Sequence, residues 1–334
     1  MSKTEQPLLQ VEHAKVYYPI RGGVFSRKTG EVKAVDDVSL SILPHEALGL
    51  VGESGCGKST LGRAIIHLEE LTGGKISFDG EDITGFSQKE MRTVWPNMQM
   101  VFQDPYSSLN PRKTVEDTLA EILSVHHIVP TSEIDGEIDR LLQLIGLNPD
   151  AKNRYPYEFS GGQRQRISIA KALTLRPKLL VCDEVTSALD VSIQAQILNL
   201  FQELRYKMGL TYLFISHGLG AVKYISDRIA VMYLGRIVEI AKTELLFSNP
   251  LHPYTQALLS AYPDPDPDKR GRKRILLQGG VPNPANPPSG CRFRMRCPFA
   301  QPICAECVPE LEGDNDHKVA CHMHIDQTAR KEQP

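Results

Sequence analysis

No stretch of this chain approaches the 18 consecutive apolar residues that a bilayer-spanning helix needs, so the sequence predicts no membrane span. Basic charge is not in excess either. The 38 Lys and Arg stand against 40 Asp and Glu, a formal net charge of −2. A nucleic-acid binder ordinarily carries a basic surplus, so that class is demoted. The opening MSKTEQP lacks the charged-then-apolar pattern of a signal peptide, and the expectation is a cytosolic chain that can sit on a membrane partner. Internal repeats and a long coiled-coil pattern are missing. Cysteine is scarce at first: Cys56 and Cys182 stand alone in the first two-thirds. With 41% hydrophobic and 23% charged residues over 334 positions, the composition excludes a disordered chain and predicts two or three domains.

What is present is an alternation of strands and helices. LLQVEH and VKAVDDVSLSI have the period of two of strands, and GKISFDGED reads as a strand pair. ALGLVG (47–52) is apolar throughout and suits a buried central strand. STLGRAIIHLEE has helical spacing. Residues 104–176 change texture: a turn-rich DPYSSLNPR precedes two amphipathic helices, TVEDTLAEILSV and IDGEIDRLLQLIGL, which reads as a helical insertion. PKLLVCDE, a helix through IQAQILNLFQELRYKMG, and TYLFISH restore the alternation of a parallel sheet. Around 245–290, NPLHPY, PDPDPD and PNPANPP read as a linker ahead of a tail in which Cys291, Cys297, Cys304, Cys307 and Cys321 crowd together. In a reducing compartment such a cluster reads as a metal or iron–sulfur site rather than a disulfide framework.

Gly52-Glu53-Ser54-Gly55-Cys56-Gly57-Lys58-Ser59 fits the phosphate-binding pattern G-x-x-x-x-G-K-[ST]. Its glycines let backbone N–H groups turn onto phosphate oxygens, Lys58 supplies a point charge, and the Ser59 hydroxyl is placed for Mg²⁺. The bland alternative, a glycine-rich turn, does not explain the apolar strand before it and the helix after it. Leu179–Glu184 is an apolar strand ending in two acids. Packing does not call for paired carboxylates there, whereas Asp183 suits Mg²⁺ and Glu184 could act as general base toward water. Ser160-Gly161-Gly162-Gln163 opens a helix, either as a second anion site or as a plain cap with Ser160 as N-cap. Cys56 reads as a small filler in the loop. Its anion-favouring surroundings nevertheless predict a lowered thiol pKa, and alkylation there that blocks binding of the phosphate ligand by steric bulk.

The order of these elements carries a resemblance. The phosphate loop, Gln103 in VFQDP, FSGGQRQR, LLVCDE, SALD (187–190) and His217 in FISH follow one another as in the ATP-binding subunits of ABC transporters, over roughly residues 8–245. The resemblance implies an α/β fold: a P-loop, RecA-like core with an antiparallel β subdomain and a helical subdomain (about 104–176), here followed by a Cys-rich extension over 246–334. It implies that Tyr18, or in a less favoured register Tyr17, stacks on adenine. It gives Gly52, Ser54, Gly55, Cys56, Gly57, Lys58, Ser59 and Thr60 to the phosphates, and Ser59, Gln103 and Asp183 to Mg²⁺. Glu184, Gln103 and His217 become catalytic, His217 through the γ-phosphate. Asp190 falls at a dimer interface, and Ser160, Gly161, Gly162 and Gln163 contact ATP on an opposing subunit. Two positions depart from the pattern: Val185 stands where proline is usual, and Gly218 where aspartate is usual. Neither removes a catalytic group, but both bear on the hydrolysis rate.

RYPYEFSGGQRQR, SLNPR, NPLHPYTQALLSA and GCRFRMRCPFA resemble the F-type subunits of oligopeptide/dipeptide importers, nearly over the whole chain. That implies an ATPase at the cytoplasmic face of the membrane, paired with a D-type homologue, two permease subunits and an extracytoplasmic peptide-binding protein. Importers of nickel or glutathione share much of the pattern. A soluble ABC ATPase acting on ribosomes or DNA would usually carry two cassettes or a coiled coil. A regulatory module with a dead site would not keep Lys58, Asp183, Glu184 and His217. In the tail, Cys291, Cys297, Cys304 and Cys321 match the branch's four-cysteine pattern with Cys307 as an extra, and four thiolates suit a [4Fe–4S] cluster. Zn²⁺ is the rival, since Cys304 and Cys307 have knuckle spacing and His317, His322 and His324 are near. Distance along the chain from the phosphate loop implies a structural or regulatory role for that centre.

Overall fold

The computed structural model describes residues 6–22, 27–262, 275, 277 and 279–324. The PDPDPD part of the linker reading (263–268) and most of MSKTEQP lie outside the described residues. In chain order the strands are β1 (Leu9–Gly22), β2 (Arg27–Ile42), β3 (Ala47–Val51), β4 (Gly73–Phe78), β5 (Glu81–Asp82) and β6 (Met98–Val101). They continue as β7 (Leu179–Asp183), β8 (Thr211–Ile215), β9 (Arg228–Tyr233), β10 (Arg236–Lys242), β11 (Glu312–Gly313) and β12 (His317–Val319). The chain divides into two compact units. One comprises 1–8, 42–47 and 85–216; the other comprises 9–41, 48–84 and 217–334.

In the first unit β6, β7 and β8 run parallel, with Met98 opposite Leu179 and Val181 opposite Leu213. Every residue of β7 and β8 is buried, which is why these strands read as unbroken apolar runs rather than alternating ones. Helix Val191–Met208 places Phe201 edge-on to Tyr212 and Phe214, and the buried Tyr212 hydroxyl donates to the Phe201 carbonyl at 3.0 Å. The helical insertion forms as its spacing predicts. Val115–Val125 starts at a capping box between Thr114 and Asp117 and buries Val115, Leu119 and Leu123. Ile134–Leu144 buries Ile138, Leu141 and Leu142. Each such aliphatic side chain contributes about 1.5–3 kcal/mol by leaving water.

In the second unit β2, β1, β4 and β5 form an antiparallel sheet, with Leu9 opposite Phe78 and Val11 opposite Ile76. β3 runs parallel to β9, β9 and β10 form a hairpin, and β12 and β11 extend it. This differs from the reading of a tail set apart by a linker. β12 pairs with β10, Ala241 opposite His317, and Phe293 is buried. The stretch read as linker also contains helices, Thr243–Ser248 and Pro253–Ala261. Pro253 suits a first helical position because its missing N–H would go unpaired there anyway. The Glu239 carboxylate, fully buried, accepts the N–H groups of Leu251 (2.8 Å) and His252 (2.9 Å) and pairs with His317 Nε2 (2.7 Å). These bonds hold the chain entering the second helix against the tail strand.

His252 caps that helix by accepting the Tyr254 N–H at Nδ1. Burial pushes its pKa down from 6.5 to about 4. Above pH 6.5 neither the folded nor the unfolded chain protonates this ring. Between 6.5 and 4 the unfolded chain does and the folded one does not, so stability falls with pH through that window. The expected slope is up to about 1.4 kcal/mol per pH unit from this group. Urea melts of wild type and His252→Asn from pH 7 to 4.5 measure it, and the variant should show the shallower loss.

Candidate functional site

In the second unit, buried β3 leads straight into the phosphate loop. Gly57 has φ +105°, and a Cβ there would run into the Ala34 carbonyl, so only glycine fits immediately before helix Lys58–Ile65. That helix ends sooner than the helical spacing of STLGRAIIHLEE predicts. Lys58 is buried, and its Nζ donates to the carbonyls of Gly52 (2.9 Å) and Glu53 (3.1 Å). Ser54 and Gly55 are exposed, while Ser59 and Thr60 sit half-buried in the first helical turn. The Gly235 N–H donates to the Cys56 carbonyl at 2.9 Å, bracing the loop from the β9–β10 turn.

Two tyrosines competed for adenine, and their surroundings differ. Tyr17 donates its hydroxyl to Asp36. Burial and that bond raise its pKa. Tyr18 is exposed, and its hydroxyl bonds Glu69 and Thr60, next to the phosphate-loop helix. Its ring is the one left available. His217 is exposed and shares a cavity of about 390 Å³ with Val51, Gly52, Gly218 and Tyr262. The structure therefore brings His217 alongside the start of the phosphate loop. Gly218 is the N-cap residue of helix Leu219–Ile225.

The first unit holds the other group. Gln103 Nε2 donates to Glu184 Oε2 at 3.1 Å and to Ser187 Oγ at 3.3 Å, and Ser187 donates back to the Glu184 carbonyl at 2.9 Å. Glu184 has φ +49°, a conformation that costs a non-glycine residue energy. Its N–H donates to the Ile215 carbonyl at 2.9 Å, which helps hold it there. Asp183 is buried at the end of β7, and Val185 is buried one residue beyond Glu184. Ser160 caps helix Gly161–Leu173 in a reciprocal box: its hydroxyl accepts the Gln163 N–H, and Gln163 Oε1 accepts the Ser160 N–H. Gln163 is thus occupied in the cap. Asp190 is likewise an N-cap, accepting from Ile193 N–H at 3.0 Å. Gln103, Tyr106, Gly161, Arg164 and Val185 line a cavity of about 270 Å³.

Sequence reasoning missed the partners of Glu53, at a position the motif leaves open. The Tyr254 hydroxyl accepts the Glu53 N–H at 2.8 Å, and Arg296 grips its carboxylate at 2.7 and 3.1 Å. The tail therefore reaches the phosphate loop, where the linker reading set it apart from the core. Arg292, also from the tail, pairs with Asp36 and donates to the Leu234 carbonyl. Burial pushes the Asp36 carboxyl up, but Tyr17, Arg292 and Arg236 outweigh it and leave it below the usual range.

In the tail, Cys291, Cys297, Cys304 and Cys321 are each electrostatic neighbours of the other three, and exposed Cys307 stands outside that set. The Gly290 turn makes this possible: at φ +59° it brings the backbone against the Cys304 carbonyl, which accepts the Cys291 N–H at 2.8 Å. The sulfurs of Cys291, Cys297 and Cys321 each accept an N–H from two residues on, at Phe293, Phe299 and Met323. The neighbouring imidazoles bond elsewhere: His317 to Glu239, His322 to the Cys307 carbonyl, His324 to the Leu251 carbonyl. Among the described residues no three His, Cys, Asp or Glu side chains close around a single ion.

Cys56 corrects an expectation. The thiol is buried at 3% exposure, and burial raises its pKa; Lys58 pulls the other way without prevailing. It is a filler and not an activated nucleophile. With an aromatic disulfide reagent the folded protein should label Cys307 well before Cys56, and Cys56→Ser should retain MgATP binding. Early labelling of Cys56, read by mass spectrometry, would contradict the burial argument.

Two family models match the chain, ABC transporter over residues 35–187 and oligopeptide/dipeptide transporter, C-terminal region, over 238–304. The oligopeptide transport ATP-binding protein AppF of Bacillus subtilis is 53% identical over 325 residues, covering 96% of this chain and 98% of the relative. OppF of Salmonella typhimurium, another oligopeptide transport ATP-binding protein, is 51% identical, covering 94% and 95%. Among solved structures, CbiO1 of Clostridium perfringens, part of an ABC transporter complex, superposes with TM-score 0.63 at 26% identity, covering 73% of this chain and 92% of that one. Near-complete coverage at over half identity, with the phosphate loop and the cysteine tail both inside the matched span, decides the matter: the chain belongs to the oligopeptide-transport family of ABC ATP-binding proteins.

Proposed function

We propose that this chain is the ATP-hydrolysing subunit that powers import of peptides across the cytoplasmic membrane. The observation that carries this is the 53% identity to an oligopeptide transport ATP-binding protein over 98% of that relative's length. No helix among the described residues is long and apolar enough to cross a membrane, in keeping with a peripheral subunit. Its partners would be two permease subunits, a D-type ATPase homologue and an extracytoplasmic peptide-binding protein. The cavity beside Gln103 and Gly161 is a fitting surface for a permease segment. The ATP-binding cassette would span 8–245, with its helical subdomain near 104–176, and the extension 246–334. Cargo of nickel or glutathione, and a soluble role away from transport, have no comparable support.

In this reading Tyr18 stacks on the base, and Lys58 with the N–H groups of Gly52 and Ser54–Thr60 holds the phosphates. Ser59, Gln103 and Asp183 present the hydroxyl, amide and carboxylate oxygens that suit Mg²⁺, which would screen the phosphate charge. Glu184 takes a proton from the attacking water, and Gln103 and Ser187 orient it through the bonds described above. His217 contacts the γ-phosphate. Ser160, Gly161 and Gly162 address ATP on the opposing subunit. Glu184→Gln should bind MgATP but hydrolyse it about 10²–10⁴-fold more slowly, measured with partner subunits present. Near-normal turnover would remove Glu184 from the role.

Cys291, Cys297, Cys304 and Cys321, whose thiols interact electrostatically with one another, are read as ligands of a [4Fe–4S] cluster. N–H groups already directed at three sulfurs suit thiolate ligation. A single Zn²⁺ would need four donors drawn tightly together, and the nearby imidazoles are otherwise engaged. Such a centre would add folding energy to the tail. Anaerobically purified protein should be brown, with about four irons and four sulfides per chain. Colourless protein with one zinc would replace the cluster by zinc and leave the ATPase reading intact.

A further inference from the structure

Glu53 poses an electrostatic problem. It lies inside a loop whose N–H groups and lysine are built to attract polyphosphate, yet it brings a carboxylate there. Two like charges a few ångströms apart repel strongly where water is partly excluded. The structure answers this with a guanidinium from the far end of the chain, 243 residues away. Arg296 is almost buried, at 8% side-chain exposure, and meets both carboxylate oxygens at 2.7 and 3.1 Å. A bidentate fork neutralises the charge and fixes its direction, which a lysine could not do.

The rest of the tail supports this grip. Arg296 lies over the Tyr233 ring at 5.9 Å, and its N–H donates to the Phe293 carbonyl at 2.9 Å. Phe293 packs on Tyr233 and Tyr254, at 5.2 and 5.5 Å between centroids. Tyr254 is the residue whose hydroxyl accepts the Glu53 N–H. Both handles on Glu53, one on its backbone and one on its side chain, therefore rest on the segment between Cys291 and Cys297.

We infer that Arg296 is a positioning residue for the phosphate loop: by neutralising and holding Glu53 it ties ATP affinity to the ordered cysteine-bearing tail. This rests on the ATP-site reading above and is independent of which metal the thiols hold. The test is equilibrium binding of MgATP to the full-length chain. Arg296→Gln should weaken binding about tenfold, equivalent to 1.4 kcal/mol at 25 °C. Glu53→Gln should change it less than about twofold, because the uncharged amide no longer opposes phosphate. The double variant Glu53→Gln/Arg296→Gln should regain most of the lost affinity, a coupling that additive effects cannot produce. Arg294→Gln, whose native side chain bonds Ser289 within the tail, serves as the control and should bind as wild type. Rescue by the double variant is the deciding result, since a purely structural role for Arg296 would leave the double as weak as the single. Wild-type affinity in Arg296→Gln, or a double variant no better than the single, overturns the inference. A wild-type chain that fails to bind MgATP at all would instead overturn the ATP-site reading, and iron analysis of the same samples reports on the cluster separately.

Discussion

The constraint on which the rest of this structure depends is the abrupt end of a fully buried strand. β3 and β7 have no exposed residue, so neither can fade gradually into solvent. Each stops in a loop whose backbone groups must find partners at once. After β3 the answer is a tight glycine turn whose Gly52 and Glu53 carbonyls accept the Lys58 ammonium. After β7 it is Asp183 followed by Glu184, the latter held at positive φ by its bond to Ile215. The chemistry is placed where the apolar interior ends, and its geometry inherits the rigidity of the strand behind it.

Buried charge is handled in a consistent way. Removing a charge from water costs several kcal/mol unless a well-directed partner replaces the solvent. Glu239 takes two backbone N–H groups and His317, Asp36 takes Tyr17 and two arginines, and Glu53 takes the fork of Arg296. In all three cases part of the satisfaction comes from beyond residue 250. The tail is therefore joined to the second unit by electrostatics as well as by the pairing of β12 with β10. That accounts for its order despite a small apolar content.

The same principle separates the cysteines by role. Cys56 and Cys182 are both buried, and burial raises both thiols; they fill space. Cys291, Cys297 and Cys321 are also raised by burial, yet each sulfur has an N–H aimed at it and other thiols nearby. Protonated thiols gain little from that arrangement, whereas thiolates gain a great deal.

The sequence by itself determined the elements that local pattern controls. Apolar runs ending in glycine or acids, caps such as Thr114 and Ser160, and the spacing from Gly52 to Ser59 act over a few residues, so they can be read from a few residues. Tyr17 and Tyr18 stand side by side in the pattern, and only the structure separates their surroundings, through the Tyr17–Asp36 bond. Tertiary structure alone decided whatever joins distant segments. The cap on Glu53 by Arg296, the entry of the tail into the β-sheet of the second unit, and the helices in the proline-rich stretch have no local signature. Cys56 shows why: the sequence placed it among N–H groups and a lysine, which favours the thiolate, while burial by residues far along the chain favours the thiol. Desolvation is a property of the whole packed neighbourhood, and no run of neighbouring letters encodes it.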